Sequence, residues 1–404
     1  MPTFVARVRD SRGNAKQEKV VASSLSEARS TLRDQGLFVQ ELKQSDGGFD
    51  LKKFQTSMAK VTVKDKAVFS RQFAALVNAG VAMVRGLGVL GEQCTNPKMK
   101  AALLDISSEI QQGTNLSDAM RKHPDCFDGL YTSMIQAGEV GGVLDEVLNR
   151  LAKLLEDVAR LQNQIKSALA YPVVVSVIAV VIFLGMTIFL IPIFAGIFKE
   201  IGGELPAFTQ FMMDLSKFLT SGQALIMIPV IILLIFAYKR YYSTRVGRET
   251  MDRLALKMPL FGDLIQKTAT ARFCRTFGAL ARSGVPILTS LEIVRDTAGN
   301  QVISNAIEEA RREIQTGGMI SIALQKEQVF PPMAIQMISI GEETGEIDKM
   351  LMKVADFYED EVEQAVKALT SIMEPLMILL LGGMVGSILM AMYLPMFKVF
   401  EKLG

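Results

Sequence analysis

Three stretches of this chain carry no charged side chain: 167–198, 218–238 and 375–397. Each exceeds the roughly 20 residues needed to cross about 30 Å of hydrocarbon, so each predicts a transmembrane helix. Outside them the apolar positions recur with helical spacing. Phe69, Phe73, Leu76, Val77 and Gly80 fall at i, i+4, i+7, i+8 and i+11 and predict a helix with one apolar face and a glycine stop. Phe273, Phe277, Leu280, Ala281 and Gly284 repeat the pattern, and Pro286 stands where a following helix would begin. Long periodic, proline-free runs from about Val143 to Leu169 and from Ile347 to Met373 complete what reads as two antiparallel helical bundles.

The first 43 residues follow a different period. Alternation through Phe4-Val5-Ala6-Arg7-Val8, a Gly13-Asn14 turn and Lys19-Val20-Val21 predict a β-hairpin. Ser24 with Glu27 forms a candidate capping box for a short helix ending near Gly36. A further apolar run, Leu37 to Val39, and a linker at Ser45-Asp46-Gly47-Gly48 follow.

The two bundles are copies of one unit. A shift of 204 pairs Phe69, Arg71, Phe73, Gly80 and Leu87 with Phe273, Arg275, Phe277, Gly284 and Leu291. After one residue is dropped between Met120 and Phe127, a shift of 203 pairs Gly138, Glu139, Gly142, Asp145 and Glu156 with Gly341, Glu342, Gly345, Asp348 and Glu359. The same register matches Pro172 to Pro375 and Pro192 to Pro395. Similarity of helical pattern alone would preserve apolar character, but not glycines, prolines and acids in one register.

Half of the 404 residues are apolar, high for a soluble protein and accounted for by membrane residence. The net charge of +2, without long runs of one sign, leaves no electrostatic footprint for nucleic acid. Arg160 and Lys166 precede the first apolar stretch, and Lys239, Arg240, Arg245 and Arg248 follow the second. Positive charge marks the cytoplasmic side, so the N-terminus is expected inside and the C-terminus outside. No signal-peptide-like apolar core opens the chain. The middle stretch has no twin, because the chain must return across the bilayer before a second copy can begin in the same orientation.

Catalytic chemistry finds little support. The chain lacks a G-x-x-x-x-G-K-[ST] phosphate loop and a G-x-S-x-G elbow, and its one histidine, His123, reads as a surface residue beside Pro124. Cys94, Cys126 and Cys274 are far apart, without metal-ligand spacing, and read as reduced thiols. The apolar stretches contain no ionisable residue, which argues against a transport path. No cofactor or metal is expected.

The most distinctive polar signature is Gly138-Glu139-x-x-Gly142-x-x-Asp145 with its copy Gly341-Glu342-x-x-Gly345-x-x-Asp348. One reading is a helix junction, with glycines permitting a turn and acids favouring a helix N-terminus. A second is a docking surface for basic groups on a moving partner, and a third is a divalent-ion site between carboxylates. Arg71 and Arg275 are candidates for salt bridges within the bundles or for partner contacts. In the last apolar stretch, Gly382, Gly383, Gly386, Ser387 and Ala391 have the spacing that lets helix backbones approach, within or between chains.

These features, with Ser167-Ala168-Leu169-Ala170-Tyr171-Pro172, Gly203-Glu204-Leu205-Pro206, Glu374-Pro375 and Tyr393-Leu394-Pro395-Met396-Phe397, resemble the inner-membrane platform proteins of type IV pili and type II secretion, the PilC/GspF family. The fold expected is an all-α membrane protein with two homologous cytoplasmic helical-bundle domains, three transmembrane helices and a small α+β N-terminal domain. Its expected divisions are 1–44 (N-terminal domain), 45–63 (linker), 64–166 (first bundle), 167–198 (first span), 199–217 (periplasmic loop), 218–238 (second span), 239–267 (cytoplasmic connector), 268–374 (second bundle), 375–397 (third span) and 398–404 (periplasmic tail). The resemblance implies a non-enzymatic assembly platform in the bacterial inner membrane, an oligomer built on dimers. Its implied partners are hexameric assembly and retraction ATPases, pilin subunits, other inner-membrane pilus components and the lipid bilayer. The alternatives are a type II secretion pseudopilus platform and, from another class, a membrane receptor or scaffold.

Overall fold

The computed structural model describes residues 3–9, 15–21, 27, 29–31, 38–44, 59–200, 205–259 and 261–403. The chain divides into two compact units, one of residues 1–60 with 94–101 and one of 61–93 with 102–404. In the first unit, strand β1 (Thr3–Arg9) lies between β2 (Ala15–Val21) and β3 (Phe38–Gln44), antiparallel to both. The alternation in β1 buries Ala6 and Val8 together on one face. A register shift between Arg7 and Val8 marks a bulge against β3. The Gly13-Asn14 turn, Ser24 of the expected capping box, Gly36, the Ser45–Gly48 linker and Gly203-Glu204 lie outside the described residues.

The duplicated helices run from Val63 onward, almost all of them in the second unit. The first copy runs through α1 (Val63–Asn78), α2 (Met83–Gln93), α3 (Pro97–Gln111), α4 (Leu116–Arg121), α5 (Gly129–Gly141) and α6 (Leu144–Gly185). A π-helical turn, Met186–Leu190, joins α6 to α7 (Ile191–Glu200). Next come α8 (Ala207–Thr220), α9 (Gly222–Tyr242) and α10 (Arg245–Lys257). The second copy comprises α11 (Phe261–Arg282), α12 (Ile287–Thr297), α13 (Gln301–Gln315), α14 (Ile320–Lys326), α15 (Pro332–Thr344) and α16 (Ile347–Leu403).

Thr62 starts α1 through a reciprocal capping box with Asp65, and Gly80 ends the turn that follows at φ +75°. The stripe read from the sequence faces inward: Phe69 and Phe73 are buried, with Phe69 5.7 Å from Phe127 and Phe127 4.8 Å from Tyr131. In the second copy Phe273 lies 5.7 Å from Phe277 and 4.9 Å from Phe330, the twin of Phe127. Each such burial contributes about 1.5–3 kcal/mol. Cys126 and Cys274 are buried and Cys94 is half-buried. His123, expected at the surface, is half-buried with Nε2 3.0 Å from Asp105 Oδ2.

The expected boundaries between bundles and spans fall inside continuous helices. Leu144–Phe198 and Ile347–Lys398 are each long and apolar enough to cross a membrane, and α16 alone runs for 57 residues, about 85 Å at the usual rise. The side chains of Val174, Val181, Phe189, Ile378, Leu379 and Phe397 point outward over these apolar lengths, a surface suited to hydrocarbon rather than water. Helix α9 covers most of the second charge-free stretch, and Ile232, Leu233, Leu234 and Phe236 on it are likewise exposed.

The segment expected as a periplasmic loop is instead largely helical. Helix α7 reaches Glu200, and α8 packs Met212 with Ile191 and Ala391 among Phe183, Phe208, Met213 and Leu215. The amphipathic spacing of these residues on α8 was hidden in sequence beside the far stronger apolar stretches. The expected connector carries α10 and the start of α11, and the expected tail continues α16 to Leu403.

Candidate functional site

The paired glycine-acid motifs sit at the same corner of each copy. Helix α5 ends at Gly142, whose φ of +68° is the left-handed conformation that favours glycine, and α15 ends likewise at Gly345 with φ +72°. Gly138 is pressed against the next helix: a Cβ there would stand 3.1 Å from Leu144 Cα and 3.1 Å from Val147 Cβ. A Cβ on Gly341 would meet Ile347 Cα at 2.9 Å.

The carboxylates are held inside the junction. Glu139 accepts from the backbone N–H of Leu116 at 2.6 Å and of Ser117 at 3.0 Å, capping α4. Glu342 accepts from Ile320 at 2.6 Å and Ser321 at 2.9 Å, capping α14. Both oxygens thus satisfy orphan N–H groups of a neighbouring helix, a charge-assisted form of N-capping. Asp145 and Asp348 lie in the first turns of α6 and α16, where negative charge complements the helix dipole. Asp145 is exposed, and Val140 is the most open apolar residue of the corner at 85%.

The two arginines meet their repeat partners on the long helices. Arg71 donates from Nε to Glu156 Oε1 at 2.7 Å and from Nη2 to Oε2 at 2.5 Å. The bidentate bond raises the arginine pKa and holds the Glu156 carboxyl below its usual range. Arg275 makes the same bond to Glu359 at 2.7 Å and adds Asp356 at 2.6 Å. Burial works against its charge, but Glu359 and Asp356 more than reverse that, and its pKa rises. The side chains differ in setting: 46% exposed for Arg71 and 6% for Arg275.

On the last apolar stretch, beyond the neighbouring turns of α16 itself, nothing among the described residues lies within 4 Å of where a Cβ on Gly382, Gly383 or Gly386 would stand. The Ser387 hydroxyl bonds back to Met384 O, and Ala391 is buried against α7 and α8. The spacing read from sequence therefore splits, with Ala391 engaged within the chain and the glycines without a close neighbour among the described residues. An apolar cleft of about 410 Å³ separates the membrane lengths of α6 and α16, lined by Ala179, Phe183, Leu381, Met384 and Ile388 among others.

Sequence reasoning missed two residues here. Thr209 on α8 donates to Ala391 O at 2.9 Å. Asp252 on α10, 7% exposed, accepts from Tyr242 Oη at 3.0 Å and from the N–H of Gln301 at 2.6 Å. Neither residue has a twin in the repeat register, so the duplication offered no signal.

The duplicated architecture is matched directly by a family model. Type II secretion system (T2SS), protein F, covers residues 69–192 and 273–395, beginning at the twins Phe69 and Phe273 and ending at the twins Pro192 and Pro395. The N-terminal domain model of the same family covers residues 1–43. The chain belongs to the type II secretion system protein F family. Among relatives in this family, a type IV pilus assembly protein PilC of Thermus thermophilus is 41% identical over the whole of both chains. One from Myxococcus xanthus is 37% identical, covering 98% of this chain and 94% of its own. A type II secretion system protein F of Vibrio cholerae is 30% identical over 99% of this chain and 98% of its own. Relatives in the protein F family thus carry names from both pilus assembly and type II secretion, and this chain covers 94% or more of each of these three.

Proposed function

We propose that this chain is an inner-membrane assembly platform for type IV pili, coupling a cytoplasmic hexameric ATPase to the insertion and removal of pilin subunits. The observation that carries this reading is the continuity of α6 and α16, each of which begins in a bundle at a glycine-acid corner and runs unbroken into a membrane-length apolar segment. Closely packed helices pass displacement along their length rather than absorbing it. The greater identity to relatives named for pilus assembly favours pili over secretion. A type II secretion pseudopilus platform is the second reading, supported by relatives named for that system; a receptor or scaffold without a filament role is the remaining one.

In this proposal the chain spans the inner membrane three times, through α6–α7, α9 and α16, with the N-terminus and both bundles in the cytoplasm and the C-terminus outside. The basic residues Arg160, Lys166, Lys239, Arg240, Arg245 and Arg248 support that sidedness. The corners Gly138–Asp145 and Gly341–Asp348 are proposed to face partners through their exposed rims, because Glu139 and Glu342 are committed to helix caps. Arg71 and Arg275 are proposed to hold the bundles to the long helices. Pilin subunits, further inner-membrane pilus components and other copies of the chain are the membrane partners proposed.

Deletion of the gene is expected to abolish surface pili. Deletion of the ATPase is expected to abolish pili while leaving this protein inserted. A cysteine at Val140, which spares the cap, is expected to crosslink to the ATPase. Unaided ATP hydrolysis by the purified chain, or reporter fusions placing residues 239–374 outside the cytoplasm, would overturn the reading.

A further inference from the structure

We propose that the groove between α1 and the first half of α6 is a binding site for the headgroup of an anionic phospholipid. The groove has a volume of about 1000 Å³, and its lining runs from Lys64, Ala67, Val68 and Arg71 on α1 to Glu156, Arg160, Lys166 and Ala170 on α6. Helix α1 lies antiparallel to α6, so Lys64 and Lys166 share one end, and that end abuts Ser167, where the charge-free length of α6 begins. A headgroup bound there keeps its acyl chains at the level of the hydrocarbon.

The charge in the groove is unbalanced. Glu156, the carboxylate that lines it, is taken by Arg71 in a bidentate bond. Among the described residues, neither Lys64 nor Lys166 has an ion-pair partner. Arg160 helps hold the Glu363 carboxyl low from across the neighbouring helix, but Lys367, at 2.8 Å, is the main partner of that carboxylate. The walls between the cations are mostly carbon, from Ala67, Val68, Ala159 and Ala170, with the uncharged Asn163, Gln164 and Ser167 beside them. Cations above an apolar floor at a membrane boundary suit a phosphodiester carried on a lipid better than a free ion.

The duplication supplies an internal control. In the second copy the twins of Arg160, Asn163 and Lys166 are Glu363, Val366 and Leu369, and Val362, Val366 and Leu369 are all buried. Helix α11 starts more than a turn earlier in the repeat than α1, and its Leu264 packs with Leu161, Val362 and Val366 where the first copy stays open. The open, basic version is confined to one of two otherwise matching frameworks. Lys166 stands where the second copy buries Leu369, and Arg160 stands where it carries the acidic Glu363, two changes that a merely solvated surface would not require.

The chain contains no tryptophan, so Val68→Trp, at a half-exposed groove position, reports on this groove alone. The full-length variant is placed in phosphatidylcholine nanodiscs containing a minor fraction of either acyl-brominated phosphatidylglycerol or acyl-brominated phosphatidylcholine. Quenching is expected to be stronger with the anionic lipid, to weaken with salt and to resist added inorganic phosphate. Near an anionic leaflet each cation is worth about a fivefold factor. Combining Lys64→Gln, Arg160→Gln and Lys166→Gln therefore lowers the preference by roughly a hundredfold, and Lys166→Gln alone by about fivefold if the triple variant misfolds. Lys239→Gln with Arg245→Gln, which removes charge elsewhere, is expected to leave the preference intact. Equal quenching by the two lipids, displacement by phosphate, or loss with the Lys239 and Arg245 pair would each overturn the proposal.

Discussion

The Thr209 hydroxyl donates to the backbone carbonyl of Ala391 at 2.9 Å, and that carbonyl's usual helical partner would be the N–H of residue 395, a proline. Pro395 has no N–H, so α16 carries an orphan acceptor at Ala391, which is 2% exposed, and a buried acceptor left unsatisfied costs about 1–3 kcal/mol. Thr209 on α8 supplies the missing donor. The twin proline, Pro192, is accommodated differently, by the π-helical turn Met186–Leu190 just before it. Thr209→Val is expected to lower the stability of the detergent-solubilised protein by about 1–2 kcal/mol. In a Pro395→Ala background the same substitution is expected to cost less, since the helix then satisfies its own carbonyl. Thermal unfolding of the four proteins of this double-mutant cycle measures the coupling; equal costs in both backgrounds would contradict it.

The two arginine bridges are expected to differ in energy although their sequence contexts match. Arg275 is buried and holds both Glu359 and Asp356, so Arg275→Met leaves two acids without their cation and is expected to cost about 3 kcal/mol. Arg71→Met removes an exposed pair and is expected to cost under about 1 kcal/mol. Chemical denaturation of the two variants, compared by midpoint at constant slope, decides the ranking.

Glu139→Gln and Glu342→Gln each weaken a charged cap shared by two backbone N–H groups, and each is expected to cost about 1–2 kcal/mol. The corners belong to different copies, so the double variant is expected to show the sum within about 0.5 kcal/mol. A marked excess over additivity in the unfolding midpoint would show that the two corners are coupled.

Acid should loosen the bundles in a defined window. Hydrogen bonds from Arg71, Arg295 and Lys367 hold the carboxyls of Glu156, Glu308 and Glu363 below their ordinary value of 4.5. A group with a depressed folded pKa contributes stability that is complete above its unfolded value and disappears as pH falls through the folded one. The melting temperature is therefore expected to hold from neutrality to about pH 5 and to fall below it. Glu156→Gln should make that fall shallower; an unchanged acid slope would remove Glu156 from the account.

Much of the framework was legible because its signals are local. The duplication showed in matched glycines, acids and prolines, and the left-handed stops at Gly142 and Gly345 followed from residue type. The hydrophobic stripe of Phe69 and Phe73 gave the buried face of α1 from spacing alone. Less of the candidate site could be read this way. Glu139 and Glu342 stood out as a pair, but their acceptor role at the amides of α4 and α14 depends on how helices more than 20 residues away fold back. Helix α8 was expected as a loop because its moderate amphipathic pattern carries meaning only against the surface formed by α7 and α16.

By itself the sequence determined the two copies, the apolar lengths and the places where helices must stop, since backbone conformation and the cost of charge in hydrocarbon are set residue by residue. Tertiary structure alone decided that Arg275 is buried while Arg71 stays open, that Thr209 answers Pro395, and that one of two corresponding grooves is closed by Leu264 while the other stays open. Those outcomes depend on which surfaces meet across more than 80 residues of chain. Close packing selects among such meetings by shape and by the satisfaction of every buried polar group, and neither is a property of any single stretch.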